Sequence, residues 1–232
     1  MDDIWIFGDS YADKNWQVND DAYSWVTELE KTYSVHNEAL KGTGPEYSIR
    51  ALINKLDITN FEDLKDTVLI FICSTPERLN LNLWNDPTEQ VMLPELAAGN
   101  IKAPGKHFAK DLFKYYIDIE WMLDTELNIV CTVHHLGLLF KRTLFWSVNP
   151  PIPVNKKFYS TLRNDFHFPE AGLNDLSVID SGGERLGPYA DERKNHFSEL
   201  NHMILHSEIS QWIETGNPID TSKIVNASLY RN

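Results

Sequence analysis

The chain has 232 residues, 42% hydrophobic and 24% charged, with 21 Lys and Arg against 34 Asp and Glu and a formal net charge of −13. This length favours one domain, or one domain with a large insertion, and buries enough surface to fold without a disulfide or metal staple. The composition excludes disorder, collagen and coiled coil, and the negative charge repels phosphate backbones and anionic lipid, so neither nucleic acid nor a membrane is an expected partner.

Ile4 to Phe7 is a bulky apolar run bounded by Gly8 and reads as a short buried strand. Ala22, Trp25, Val26 and Leu29 recur at helical spacing, with Asp20 and Asp21 as caps. Tyr33 to Asn37 is a second strand, and Lys41-Gly42-Thr43-Gly44 a turn. Pro45 suits the first position of a helix running to about Leu56. Thr67 to Cys73 is a third strand, continuous in the way of a sheet covered on both faces. This β-α-β-α-β rhythm implies parallel strands with right-handed crossovers, and such sheets bind ligands beyond the carboxyl ends of their strands. Gly8, Gly42 and Ser74 fall at that edge.

Asn80 to Gly105 is rich in Pro, Asn and Gly and reads as an irregular excursion. His107 to about Arg142 reads as two helices broken near Asp124, Thr143 to Val148 as a fourth strand, and Asn149 to Val154 as a loop. Residues 155–190 carry short strand-like pieces and the turn Ser181-Gly182-Gly183. Ser198 caps a last helix to about Ile213, with Leu200, Met203, Ile204 and Ile209 as its apolar face. The expected fold is one α/β domain over residues 1–232. It has three layers, α/β/α, around a mostly parallel five-stranded sheet, with a largely helical insertion at about residues 80–142.

Cys73 and Cys131 are the only cysteines, too few for a disulfide framework, which favours a reducing compartment. The longest apolar run is far short of the ~20 residues that span a bilayer. The opening Met1 to Gly8 has no positive n-region or cleavage site. A cytoplasmic location is the expectation.

Two residues could carry chemistry together. Ser10, in Gly8-Asp9-Ser10, follows a strand on a tight turn, where its hydroxyl is exposed and neighbouring N–H groups face whatever it attacks. The plain alternative is a turn and nothing more. His196 precedes the last helix and has the pKa range of a general base that could activate a serine; the plain alternative is a surface or capping histidine. His134 and His135 are adjacent and cannot chelate together as an i, i+4 pair would. Gly42-Thr43-Gly44 lacks the rest of a phosphate loop. No metal or cofactor is implied. Cys131 reads as packing, and Asn226-Ala227-Ser228 as a chance sequon.

Ile6-Phe7-Gly8-Asp9-Ser10 resembles the first block of the SGNH (GDSL) hydrolase family. Asn37 to Gly42 resembles the second block, and Asn195-His196-Phe197 through His202 the last. The matched blocks cover roughly the first 80 and last 45 residues. The resemblance implies an SGNH/flavodoxin-like fold, with Ser10 as nucleophile and His196 as general base. The N–H groups of Ser10 and Gly42 would form an oxyanion hole, and Asp9 would shape the turn. The third block, Gly-x-Asn-Asp, is replaced by Cys73-Ser74-Thr75-Pro76-Glu77-Arg78. Ser74 or Thr75 would then donate in place of the Asn, with Arg78 reaching the substrate. The family's Asp three residues before the His is Arg193 here, so the nearest aspartate on that side is Asp191, failing which His196 works in a dyad. Tyr11, Trp16 and Tyr47 lie near the expected cleft, where they could stack on a sugar or acyl chain. The implied activity is that of a serine esterase acting on a small-molecule or carbohydrate ester such as an O-acetyl group. The alternative is an SGNH-like binding or structural module with impaired catalysis, associated with a virion, since the compact loop-rich style resembles divergent members in tailed phages.

Overall fold

A computed structural model describes residues 3–15, 23–75, 78–79, 91–92, 119–149, 162, 165–169, 171–173, 197 and 199–226. The strands are β1 (Asp3–Phe7), β2 (Ser34–Asn37), β3 (Thr67–Cys73), β4 (Arg78–Leu79), β5 (Val91–Met92), β6 (Arg142–Ser147) and β7 (Phe166–His167). The helices are α1 (Trp25–Leu29), α2 (Pro45–Asp57), α3 (Phe61–Leu64), α4 (Ile119–Gly137), α5 (Glu199–Thr215) and α6 (Thr221–Asn226). Five strands form one sheet in the order β2-β1-β3-β6-β7, every pairing parallel, while β4 and β5 form a small antiparallel ribbon.

Side-chain alternation along the strands sorts the core into two layers. Ile4, Ile6, Val68, Ile70, Ile72, Leu144 and Trp146 pack on one face with Trp25, Val26 and Leu29 of α1 and Leu205, Ile209, Trp212 and Ile213 of α5. Trp5, Phe7, Leu69, Phe71, Cys73 and Phe145 pack on the other with Leu52 and Leu56 of α2, Leu64 of α3, and Ile129, Val130 and Val133 of α4. Each fully buried aliphatic or aromatic side chain contributes roughly 1.5–3 kcal/mol. Coverage on both faces is why all seven residues of β3 are buried. The three-layer α/β/α architecture and the parallel five-stranded sheet are those expected from the sequence.

The strand order places the ligand edge. From β1 the chain crosses by α1 to β2, then by α2 to β3 on the far side of β1. The helices following β1 and β2 therefore lie on opposite faces. The connections leaving β1 and β3 head for opposite faces from their carboxyl ends, which makes this the switch point at which sheets of this type bind ligands.

Several local expectations are corrected. The cap of α1 is Ser24, whose Oγ accepts from Val26 N at 3.3 Å, while Asp20 and Asp21 lie outside the described residues. α4 runs unbroken through Asp124. Its Ile129, Val130 and Val133 seat it on the sheet as the crossover from β3 to β6, and Cys131 faces outward. α5 turns its polar Asn201, His202 and Glu208 inward beside Leu205, Ile209 and Trp212, and leaves Met203 48% exposed. The inward carboxylate is held: Glu208 Oε2 accepts from Asp220 N at 3.1 Å and Oε1 from Lys223 Nζ at 2.5 Å. A further helix, α6, follows. The expected excursion over Asn80–Gly105, the loop Asn149–Val154, the turn at Ser181 and the cap Ser198 lie wholly or mostly outside the described residues. Among the described residues no helix is long and apolar enough to cross a membrane, and no group of three His, Cys, Asp or Glu could hold a metal ion.

Candidate active site

Gly8 ends β1 where the chain runs hard against β3. A Cβ on it would stand 2.7 Å from Ile72 Cβ and 3.0 Å from the Ile72 carbonyl oxygen, so only glycine fits. The chain then reverses. The Asp9 carbonyl accepts from Ala12 N at 3.0 Å and Asp13 N at 2.9 Å, and Asp9 Oδ1 accepts from Tyr11 N at 3.1 Å. This is an Asx-stabilised turn with Ser10 within it. Ser10 is 9% exposed.

The turn is fastened from three directions. Trp25 Nε1, on α1, donates to the Tyr11 carbonyl at 2.9 Å. Asn37 Nδ2, at the end of β2, donates to the Ala12 carbonyl at 2.8 Å, and its Oδ1 accepts from Ala39 N at 2.8 Å. The Asp13 carboxylate accepts from Asn15 N and from Lys41 N, each at 2.9 Å. The Gly8 carbonyl accepts from Leu40 N at 3.0 Å. The loop after β2 is therefore locked to the loop after β1. It carries Gly42 in the left-handed region, φ +75°, which a side chain would strain. Asp13 had no role in the sequence reading. Its short Asx bond to Asn15 has a local signal, but its bond to Lys41 depends on the fold.

Ser74 leaves β3 beside this turn. Phe7 pairs with Phe71, so Ser10 and Ser74 each lie three residues beyond the same ladder position. Ser74 is 2% exposed, and among the described residues its Oγ has no hydrogen-bond partner. Such an orphan costs about 1–3 kcal/mol and needs an explanation. Thr75 is buried next to it. The neighbouring Cys73 thiol donates to the Ser74 carbonyl at 3.3 Å. Burial pushes its pKa well up, and the Glu126 and Asp9 carboxylates push it further, so it is no thiolate nucleophile.

Arg78 lies in β4 opposite Met92, with its side chain outside the described residues. Asp191, His196 and Trp16 also lie outside them. Phe197, the residue after His196, is 3% exposed and sets its ring edge-on to Tyr11, centroids 5.2 Å apart at 62°. It also meets the His202 ring, centroids 5.5 Å apart at 85°. Tyr11, expected from sequence as a substrate contact, is 5% exposed and belongs to this packing. Phe197 was not singled out from sequence, where it reads as one apolar residue between polar ones. Tyr47 lines an open groove of about 360 Å³ along α2 with Glu38, Arg50, Asn54 and Lys55. Burial raises its phenol pKa, and the Glu38 and Asp13 carboxylates add to the rise.

The described part of the site offers a serine on a fixed turn at the switch point, a left-handed glycine loop locked to it, and a buried hydroxyl with hydrogen-bonding capacity to spare. No family model and no curated protein matches the chain. Among solved structures it is similar to a GDSL-like lipase from Bacteroides thetaiotaomicron, at 11% identity over 93% of this chain and 89% of that one, TM-score 0.43. It is also similar to the lipase Lip_vut3 from a goat rumen metagenome, at 10% identity over 90% and 96%, TM-score 0.47, and to TesA, at 11% identity over 90% and 96%, TM-score 0.44.

Proposed function

We propose that the chain is a serine ester hydrolase of SGNH (GDSL) type. Ser10 Oγ attacks the acyl carbonyl while His196 takes the hydroxyl proton. The oxyanion of the tetrahedral intermediate accepts from the N–H groups of Ser10 and Gly42 and from Ser74 Oγ. His196 returns its proton to the leaving alcohol, leaving an acyl group on Ser10. Water, deprotonated by His196, then releases the acid and restores the serine. Asp191 orients the imidazole. Arg78 contacts a substrate of the O-acetylated carbohydrate class, on one domain spanning residues 1–232 with its insertion at about 80–142.

The observation that carries this reading is the pair of hydroxyls at the switch point. Ser10 is held on a turn tied to three elements, and Ser74, three residues beyond the same ladder position on the neighbouring strand, has a buried Oγ with no partner among the described residues. A donor left in that position suits a substrate oxygen that gains negative charge, where one such donor contributes roughly 10²–10³ in rate. In Ser10→Ala, hydrolysis of p-nitrophenyl acetate falls at least ~10³-fold with the thermal midpoint unchanged. A fluorophosphonate probe labels the parent at Ser10 and leaves the variant unlabelled. Equal turnover by the variant overturns the reading.

A second reading is favoured by the residues at two positions: Ser74-Thr75 stand where the family has Asn, and Arg193 where it has Asp. On that reading the chain is a binding module on the same scaffold, such as a virion-attached carbohydrate binder. A folded parent that resists the probe and turns over no ester supports it.

A further inference from the structure

Residues 174–196 separate the described chain at Leu173 from Phe197, where it re-enters the core. The slot that receives Phe197 has two aromatic walls. Tyr11 comes from the turn after β1, with its N–H donating to Asp9 Oδ1 at 3.1 Å. His202 comes from α5. One residue ties both walls together: Trp25, the first residue of α1, donates its indole N–H to the Tyr11 carbonyl at 2.9 Å and its backbone N–H to His202 Nδ1 at 3.4 Å. Edge-to-face ring pairs favour definite orientations, so the slot fixes the Phe197 ring as well as burying it. Consecutive Cα atoms are about 3.8 Å apart. The ring pair Tyr11–Phe197 therefore joins the immediate chain neighbours of Ser10 and His196.

We propose that Phe197 is a positioning residue for His196 as the base that serves Ser10, acting through the Tyr11–His202 slot. The proposal rests on the hydrolase reading above. Phe197 touches no reacting atom. It fixes the backbone one residue from the base, and the slot transmits any movement of α1 or α5 to the proton-transfer geometry. A displacement of about 1 Å in such a geometry costs on the order of 10²-fold in rate.

The test compares Phe197→Ala, Phe197→Leu and Trp25→Phe with the parent and with Ser10→Ala. The readouts are kcat and KM for p-nitrophenyl acetate, the pH profile of kcat/KM, and the rate of Ser10 labelling by a fluorophosphonate. In Phe197→Ala, kcat and the labelling rate fall together by about 10²-fold, KM moves less than threefold, and the acidic limb of the profile shifts. Phe197→Leu, which keeps apolar bulk in the slot, recovers most of the loss. Trp25→Phe keeps a ring but loses the indole donor and reproduces part of the effect, so the proposal stays testable if Phe197→Ala does not fold. A folded Phe197→Ala variant with the parent's labelling rate and pH profile overturns the inference, as does, where Phe197→Ala does not fold, a folded Trp25→Phe variant with both unchanged, while a silent Ser10→Ala keeps the hydrolase reading. A parent that is neither labelled nor active overturns both.

Discussion

The chain leaves β1 and β3 side by side at the carboxyl edge, and the two exits are built differently. Between Gly8 and Asp13, carbonyls and carboxylates take donors from Trp25, Asn37, Leu40 and Lys41, so three separate elements hold one short turn. At the end of β3, Ser74 is as deeply buried, yet its hydroxyl has no partner among the described residues. A purely structural strand end is more stable with that donor satisfied or replaced by a methyl group. The contrast separates two contributions to a site. One exit supplies rigidity and the other holds a buried hydroxyl with no partner among the described residues, the two parts that the proposed reading needs for a preorganised electrostatic environment. Stability and activity should therefore respond in the same direction at the first exit and in opposite directions at the second.

Ser74→Ala tests this most sharply. Its kcat for p-nitrophenyl acetate falls roughly 10²–10³-fold, as for loss of one oxyanion donor. Its unfolding free energy in urea rises by about 1 kcal/mol, because a buried unsatisfied hydroxyl is removed. A variant that is less stable and fully active breaks the contrast.

At the other exit, Gly8→Ala drives a methyl group into Ile72, with Cβ contacts of 2.7 Å to the side chain and 3.0 Å to the carbonyl oxygen. Relief requires β1 and β3 to separate, so stability falls by about 3 kcal/mol, and Ser10 moves with the strand. The urea midpoint should drop at constant m-value, together with turnover. An unchanged midpoint would mean that the close approach does not hold the turn. Asp13→Ala acts on the same exit from its far end. Removing the carboxylate strips the N–H groups of Asn15 and Lys41 of their acceptor, for a loss of about 2 kcal/mol. Activity falls as the Gly42 loop loosens, whereas Asp13→Asn, which keeps one side-chain acceptor, recovers part of both losses.

The two exits also differ in how far the sequence foretells them. Gly8-Asp9-Ser10 and Lys41-Gly42-Thr43-Gly44 combine turn formers with an adjoining strand or helix start, so their place at the edge follows from local patterns. β3 declares its double burial in seven consecutive β-rich residues. No local pattern marks Asp13, since its partner Lys41 arrives only when β2 pairs with β1. Nor does one mark Phe197, whose slot joins His202 of the following helix to Tyr11 and Trp25 from the far end of the chain. The inward face of α5 misleads for a related reason. His202 and Glu208 are polar, and their desolvation is offset by Trp25, Asp220 and Lys223, which no window around them contains. Ser74 is legible as a polar residue after a strand, but its lack of a partner is a property of the fold alone. His196 and Asp191, identified by family resemblance, lie outside the described residues.

The smallest effect concerns pH and tests whether acid sensitivity belongs to the site or to the fold. His167 lies in β7, away from both exits, with its ring beside Trp212 and Nε2 accepting from Ile219 N at 3.1 Å. Burial lowers its pKa from 6.5 to about 4. Between those values the unfolded chain binds a proton that the folded chain refuses, so stability is full above 6.5 and declines as the pH falls toward 4. From pH 7 to 5.5 this one group should lower the unfolding free energy by about 1 kcal/mol. In His167→Gln, whose amide oxygen still accepts from Ile219, that slope should disappear from the urea midpoints. The acidic limb of kcat/KM should remain in the variant, because on the proposed mechanism it reports the base that serves Ser10. If the limb vanishes along with the slope, the loss of activity in acid reflects unfolding around β7, and the pH profile says nothing about the exit that carries Ser10.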